Sequence, residues 1–251
     1  MGKIRVIARI DINNESVVKG KCLEGLRKIG NPEKMSGNYY KNGIDEIIFL
    51  DAVASLYDRN SLIDILRNAS KKIFVPITIG GGIKTINDIK DALSAGADKV
   101  AINSQAIRDI NFISEAVETF GSQAIIGSVV ARRNRNTWEA FVDNAKHRTN
   151  KNAIEWAKIL ETSGVGELVV TSIDNDGRGV GYDVELVNNI TQSVSIPVIA
   201  SGGAGSSEDI VNVCNITGCD AVAVSSIFHY QSESISSVKQ ALFNNNINVR
   251  R

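Results

Sequence analysis

The stretch Val75-Pro76-Ile77-Thr78-Ile79-Gly80-Gly81-Gly82 returns half a chain later as Ile196-Pro197-Val198-Ile199-Ala200-Ser201-Gly202-Gly203. Each copy is a short apolar or β-branched run that stops in glycines, as a strand buried on both faces does when it ends in a tight turn. Two further segments repeat at a similar distance. Gly96-Ala97-Asp98-Lys99-Val100-Ala101-Ile102-Asn103-Ser104 matches Gly218-Cys219-Asp220-Ala221-Val222-Ala223-Val224-Ser225-Ser226, and Gly43-Ile44-Asp45-Glu46 matches Gly164-Val165-Gly166-Glu167. Self-similarity at a fixed period marks a repeated structural unit. The chain therefore reads as two similar halves, about 1–120 and 121–251.

Working outward, eight such runs alternate with helix-length amphipathic segments, over residues 5–11, 46–51, 75–79, 99–103, 124–130, 167–172, 197–201 and 221–225. Helix starts are legible. Asn31-Pro32 is a cap followed by proline at the first helical position, and Thr85…Asp88 and Ser206…Asp209 are caps with an acid three residues on. Strand then helix, with right-handed crossovers, builds a parallel sheet, and eight units close it into a (β/α)₈ TIM barrel. The 251 residues match the roughly 250 of one such barrel. Residues 132–150 form a polar insertion that reads as a small hairpin.

Lys+Arg and Asp+Glu both number 28, so the formal net charge is zero, and nothing selects nucleic acid or an acidic membrane as partner. No window approaches the roughly 18 apolar residues of a membrane span. Met1-Gly2-Lys3-Ile4-Arg5-Val6 leads directly into a strand without a secretory h-region. Cys22, Cys214 and Cys219 are odd in number and form no C-x-x-C pair, which reads as free thiols in a cytoplasmic protein. No cofactor and no metal are expected. Asp174-Asn175-Asp176-Gly177 superficially suggests calcium but lacks most ligands of an EF-hand loop.

Barrel enzymes work at the C-terminal ends of their strands. There the third and seventh runs end in glycines and the fourth and eighth in Asn103-Ser104 and Ser225, a plan for two anion-binding loops facing each other. The carboxylates at that face are Asp11, Asp51, Asp174 and Asp176. Asp11 closes the first run, with Lys19 in the long loop that follows, and is the candidate acid or base. Its counterpart in the half-chain repeat is Val130, which cannot transfer a proton. Arg9 lies two residues before Asp11 and so on the same strand face. A guanidinium inside a barrel needs a partner, either Asp11 or an anionic ligand. At the opposite face Arg5, Glu46, Lys99 and Glu167 begin four runs with alternating charge, an arrangement that by itself reads as a structural cap on the barrel floor.

These motifs resemble the HisF family, the cyclase subunits of imidazole glycerol phosphate synthase, over essentially the whole chain. The matches include Ile10-Asp11 with Val18-Lys19-Gly20, Phe49-Leu50-Asp51, Ile79-Gly80-Gly81-Gly82-Ile83, Phe120-Gly121-Ser122-Gln123, Thr171-Ser172-Ile173-Asp174-Asn175-Asp176-Gly177, Ala200-Ser201-Gly202-Gly203-Ala204-Gly205 and Asn248-Val249-Arg250. The resemblance implies one substrate phosphate at Gly82, Asn103 and Ser104, and the other at Asp176, Gly177, Gly203, Val224 and Ser225. It implies Asp11 as a catalytic acid/base, with Lys19, Asp51, Thr171 and Ser201 lining the mouth. Arg5, Glu46, Lys99 and Glu167 become the gate of an ammonia channel, and Asp98 a contact for a glutaminase partner of the HisH type. Ammonia from that partner would attack a bis-phosphorylated ribonucleotide, and ring closure with C–N cleavage would yield imidazole glycerol phosphate for histidine biosynthesis.

Two positions depart from the family: its second catalytic aspartate falls at Val130, and its usual small residue falls at Arg9. That halved pair resembles the paralogues of surface-polysaccharide clusters, which deliver ammonia to a sugar. A non-catalytic activator of the glutaminase is the reading from another class; in it Asp11→Asn would leave partner stimulation intact. The related sugar-phosphate isomerase of the same plan needs no ammonia, so the gate residues argue against it.

Overall fold

The computed structural model describes residues 2–52 and 61–250; the chain ends 1 and 251, which bound the two expected halves, lie outside them. The first part of the chain forms β1 (Arg5–Asn13), β2 (Ser16–Lys21), β3 (Glu24–Gly30), α1 (Pro32–Lys41), β4 (Glu46–Asp51), α2 (Ser61–Ser70), β5 (Ile77–Gly80), α3 (Ile86–Ser94), β6 (Lys99–Ile102), α4 (Ser104–Arg108) and α5 (Asn111–Phe120). The rest forms β7 (Ile125–Asn134), β8 (Thr137–Val142), β9 (His147–Asn152), α6 (Ala153–Thr162), β10 (Glu167–Ser172), α7 (Val184–Thr191), β11 (Val198–Ser201), α8 (Ser207–Thr217), β12 (Ala221–Val224), α9 (Ser226–His229) and α10 (Ile235–Asn244).

Eight strands pair in parallel in the order β1-β4-β5-β6-β7-β10-β11-β12, and β12 pairs back onto β1. The ring of eight closes on itself, so the molecule is a (β/α)₈ TIM barrel. Side chains alternate along each strand and split the core in two. Ile7, Ile48, Ala101, Ile126, Val169, Ile199, Ala221 and Ala223 meet inside the barrel as one apolar layer. The outward set, with Phe49, Ile79, Val170 and Val222 among it, packs under the helices. Burying each large aliphatic side chain of these layers contributes about 1.5–3 kcal/mol before chain entropy is charged against it.

Local chemistry sets the helix starts. Asn31 accepts a hydrogen bond from the Lys34 amide at 3.0 Å. Thr85 and Ser206 each form a reciprocal capping box, with Asp88 and Asp209. At the bottom, Asp45, Asp98 and Asp220 do one job three times: each carboxylate accepts an amide near the start of a neighbouring strand, from Val6 (2.8 Å), Ile77 (2.8 Å) and Val198 (3.0 Å).

The expected hairpin in 132–150 is present, as β8 and β9 running antiparallel off an extended β7. The long first loop is a second hairpin, β2 and β3 off β1, which the residue pattern did not suggest. Gly20, Gly25 and Gly30 and two register shifts interrupt its alternation. Its two-residue turn, Cys22-Leu23, has φ of 53° and 62°, where Asn-Gly is the usual sequence. Leu23 tolerates that left-handed backbone because its side chain is buried with Phe141 and Ile173.

Candidate active site

Residues 9 and 11 share the inner face of β1, so both side chains enter the barrel just above the apolar layer. Arg9 Nε donates to Asp11 Oδ1 at 2.9 Å, and its Nη1 reaches Ser201 Oγ (3.0 Å), Asp176 Oδ2 (3.3 Å) and Thr171 Oγ1 (3.5 Å). The hairpin folds β2 back over the mouth and brings Lys19 Nζ to 2.8 Å from Asp176 Oδ1 and 3.4 Å from Asp11 Oδ2. Arg9, Asp11, Lys19 and Asp176 thus form a closed ring of alternating charge, each no more than 4% exposed. Burial alone would raise the Asp11 pKa, but Arg9 and then Lys19 outweigh it and hold the carboxyl below the usual range. Asp11 is accordingly ionised at neutral pH, suited to act as a base or a countercharge.

Two spaces open around this ring. One, of about 100 Å³, is lined by Asp11, Asp51, Gly82, Asn103, Ser104 and Val130. The other, of about 10 Å³, lies among Lys19, Asp176, Gly177, Ser201, Gly203 and Ser225. Arg9 borders both, so it stands between the two expected phosphate loops. Each loop needs glycine. A Cβ on Gly81 (φ 94°) would come within 2.4 Å of the Asp51 carbonyl oxygen, and one on Gly203 (φ 124°) within 2.1 Å of the Gly181 oxygen. Ser225 Oγ donates to the Arg9 carbonyl at 2.8 Å and ties the second loop to β1. Val224 differs from expectation: its side chain is buried in the layer under the helices, so any part it takes rests on its main chain.

Asp11 and Val130 do face each other across the larger space, from β1 and β7. Val130 packs with Leu23, Phe141 and Ile173, so the valine props the hairpins where a carboxylate would have faced the cavity. The hairpin tips also touch, Asn144 Nδ2 donating to the Leu23 carbonyl at 3.4 Å. The Cys22 amide donates to the Asp176 carbonyl at 2.8 Å, so the first hairpin is fastened to the loop that carries Asp176.

At the floor, Arg5 Nη1 lies 2.8 Å from Glu46 and Nη2 contacts Glu167, while Lys99 Nζ lies 2.9 Å from Glu167 and 3.5 Å from Glu46. The four residues proposed from the strand starts do form a closed ring. Asp98 is exposed beside it and already holds the Ile77 amide. Within 174–177, Asp174 accepts the Arg133 amide (2.8 Å) and Asn175 Nδ2 donates to the Gly181 carbonyl (2.8 Å). Among the described residues no group of three or more His, Cys, Asp or Glu is placed to hold a metal ion.

With this geometry in hand, residues 5–234 match the family model described as histidine biosynthesis protein. The chain belongs to the HisF family. It is 43% identical over 246 residues to the imidazole glycerol phosphate synthase subunit HisF of Dehalococcoides mccartyi, covering 98% of this chain and 97% of that one. The subunits of the same name from Clostridium botulinum (41% over 248 residues) and Bacillus cereus (42% over 247) are covered to 98% on both sides. These relatives are named as subunits of a synthase, and among the described residues here no helix is long and apolar enough to cross a membrane.

In this HisF-family chain several mouth residues escaped the sequence reading. Arg108 lines the larger space and pairs with Asp143 at 3.0 Å. Its position four residues past Ser104, on the same helix face, was a usable signal. Asn103 Nδ2 donates to the Phe141 carbonyl (3.1 Å) and Ser104 Oγ accepts the Asp143 amide (3.0 Å), so the second hairpin rests on the first of the two expected phosphate loops. Leu23 and Asn144 carried no signal, because their place depends on where two hairpins meet.

Proposed function

We propose that the chain works as a HisF-type cyclase subunit, joining ammonia to a ribonucleotide with a phosphate at each end, in histidine biosynthesis in the cytoplasm. The observation that carries this is the mouth: two spaces walled by glycine loops, with Arg9 bordering both and holding a buried, ionised Asp11. Two such loops suit an elongated ligand with an anion at each end. In this reading Gly82, Asn103 and Ser104 take one phosphate, and Gly177, Gly203 and Ser225, with the main chain at Asp176 and Val224, take the other. Lys19, Asp51, Thr171 and Ser201 complete the walls. Nitrogen would enter as ammonia through the floor ring, from a glutaminase partner seated near Asp98. When ammonia adds to a carbonyl, its nitrogen must lose a proton. In this reading the Asp11 carboxylate receives it, a contribution of roughly 10²–10⁴-fold.

A second reading has a specific observation behind it. Val130 belongs to an apolar cluster and leaves Asp11 without an opposing carboxyl, which suits a simpler amidination of a sugar, in surface-polysaccharide synthesis, needing fewer proton transfers. Incubating the full chain with an ammonium salt and the bis-phosphorylated ribonucleotide separates the two. Formation of imidazole glycerol phosphate supports the cyclase. Absence of product with the intact substrate, also with the glutaminase added, removes it and leaves the amidination.

A further inference from the structure

The smaller of the two anion cradles already holds an anion of the protein's own. Asp176 places one oxygen 2.8 Å from Lys19 Nζ and the other 3.3 Å from Arg9 Nη1, and it is 2% exposed. Around it are Gly177, Gly203 and Ser225, and the free space is about 10 Å³, room for about one water and not for a phosphoryl group. A carboxylate shared by a guanidinium and an ammonium, beside glycine turns, reproduces what a phosphate would find there: two cations and a backbone that allows close approach. The ring of Arg9, Lys19, Asp11 and Asp176 carries two positive and two negative groups. A further anion therefore meets no net attraction while Asp176 stays. Arg9 and Lys19, being buried, cannot be left without a countercharge either. Entry of one anion and departure of the other have to be a single event.

We propose that Asp176 is a resident stand-in for a phosphoryl group, and that a phosphorylated ligand binds the smaller cradle by exchange, taking Arg9 and Lys19 away from Asp176. Arg9 is then a ligand-binding residue in its own right. It reaches Thr171 on β10 and Ser201 on β11 from β1, a span a small side chain at position 9 would leave empty. This inference rests on the reading of the mouth as a phosphate site given above.

Titration of inorganic phosphate into the full chain, by calorimetry and by the rise in Tm it produces, tests the exchange. Asp176→Asn keeps the shape and removes the competing charge; it is expected to bind phosphate about tenfold more tightly than the unaltered chain. It should also melt lower without phosphate and gain more Tm from it, because a ligand that binds only the folded state stabilises by mass action. Arg9→Gln is expected to bind about tenfold more weakly. Equal or weaker binding by Asp176→Asn than by the unaltered chain would overturn the exchange while leaving the phosphate reading intact. No binding by any of the three chains would remove that reading, and the exchange with it. Should Asp176→Asn not fold, a crystal structure of the unaltered chain grown in phosphate decides: phosphate on Arg9 and Lys19 with Asp176 turned away supports the exchange, and Asp176 still on both cations beside a bound phosphate overturns it.

Discussion

At position 11 the sequence offered a carboxylate and the fold determines how it can behave. Two cations hold Asp11 ionised despite its burial. Its folded pKa is depressed, so the working, deprotonated form persists as pH falls through the ordinary carboxylate range and is lost only below it. The acid limb of a pH–rate profile for an Asp11-dependent reaction should therefore lie below about pH 4. A limb above that would mean another group carries the proton. Asp11→Asn should lower turnover by roughly 10²–10⁴-fold with the fold retained, as read by circular dichroism. Val130→Asp sets a carboxyl among Leu23, Phe141 and Ile173 and should lower stability by about 1–3 kcal/mol in denaturant unfolding. A gain of turnover in that variant would show that the missing carboxyl is what limits the chemistry.

At the scale of elements, the mouth is made by two hairpins that no barrel strand requires. The first is turned at Cys22-Leu23, in a left-handed backbone held by the buried Leu23 side chain together with the Cys22 and Asn144 hydrogen bonds. Leu23→Ala should cost about 2–4 kcal/mol of local stability and raise amide exchange through β2 and β3 while the barrel strands stay protected. Uniform loss of protection would show that the hairpin is not an independent unit. The barrel itself was readable because continuous apolar runs, glycine turns and capping boxes all point to the same elements, and Asp11, Gly82, Gly203 and the floor charges followed from strand ends. Lys19 was named, but its contact with Asp176 was not, since it depends on a hairpin whose alternation is broken by glycines. The internal ring around Arg9 was half legible: period two put Arg9 beside Asp11, and nothing local pointed to Ser201 or Thr171, which reach it only through barrel closure.

Over the whole molecule, acid should act through a buried histidine close to the charged ring of the mouth. Burial lowers the His229 pKa to about 4 against the opposing pull of Asp11, and Tyr39 OH sits 2.6 Å from its Nδ1. The unfolded chain takes up that proton near pH 6.5 and the folded chain only near 4, so stability is lost as pH falls between those values. His229→Gln should flatten the decline of Tm across that window, by an amount equivalent to roughly 1–3 kcal/mol. At the floor, Glu167→Gln leaves Arg5 and Lys99 sharing Glu46, and denaturant titration should find about 1–3 kcal/mol lost.

The stacking of these layers has a consequence for traffic along the barrel axis. A belt of four charges at the bottom and another at the top enclose a greasy septum of Ile7, Ile48, Ile126, Val169 and Ile199. A cation crossing it would have to shed water that these aliphatic side chains cannot replace, with only the hydroxyls of Thr78 and Ser128 beside them among the described residues, whereas an uncharged small molecule would lose less. Along the barrel axis an uncharged small passenger would thus be favoured over a cation.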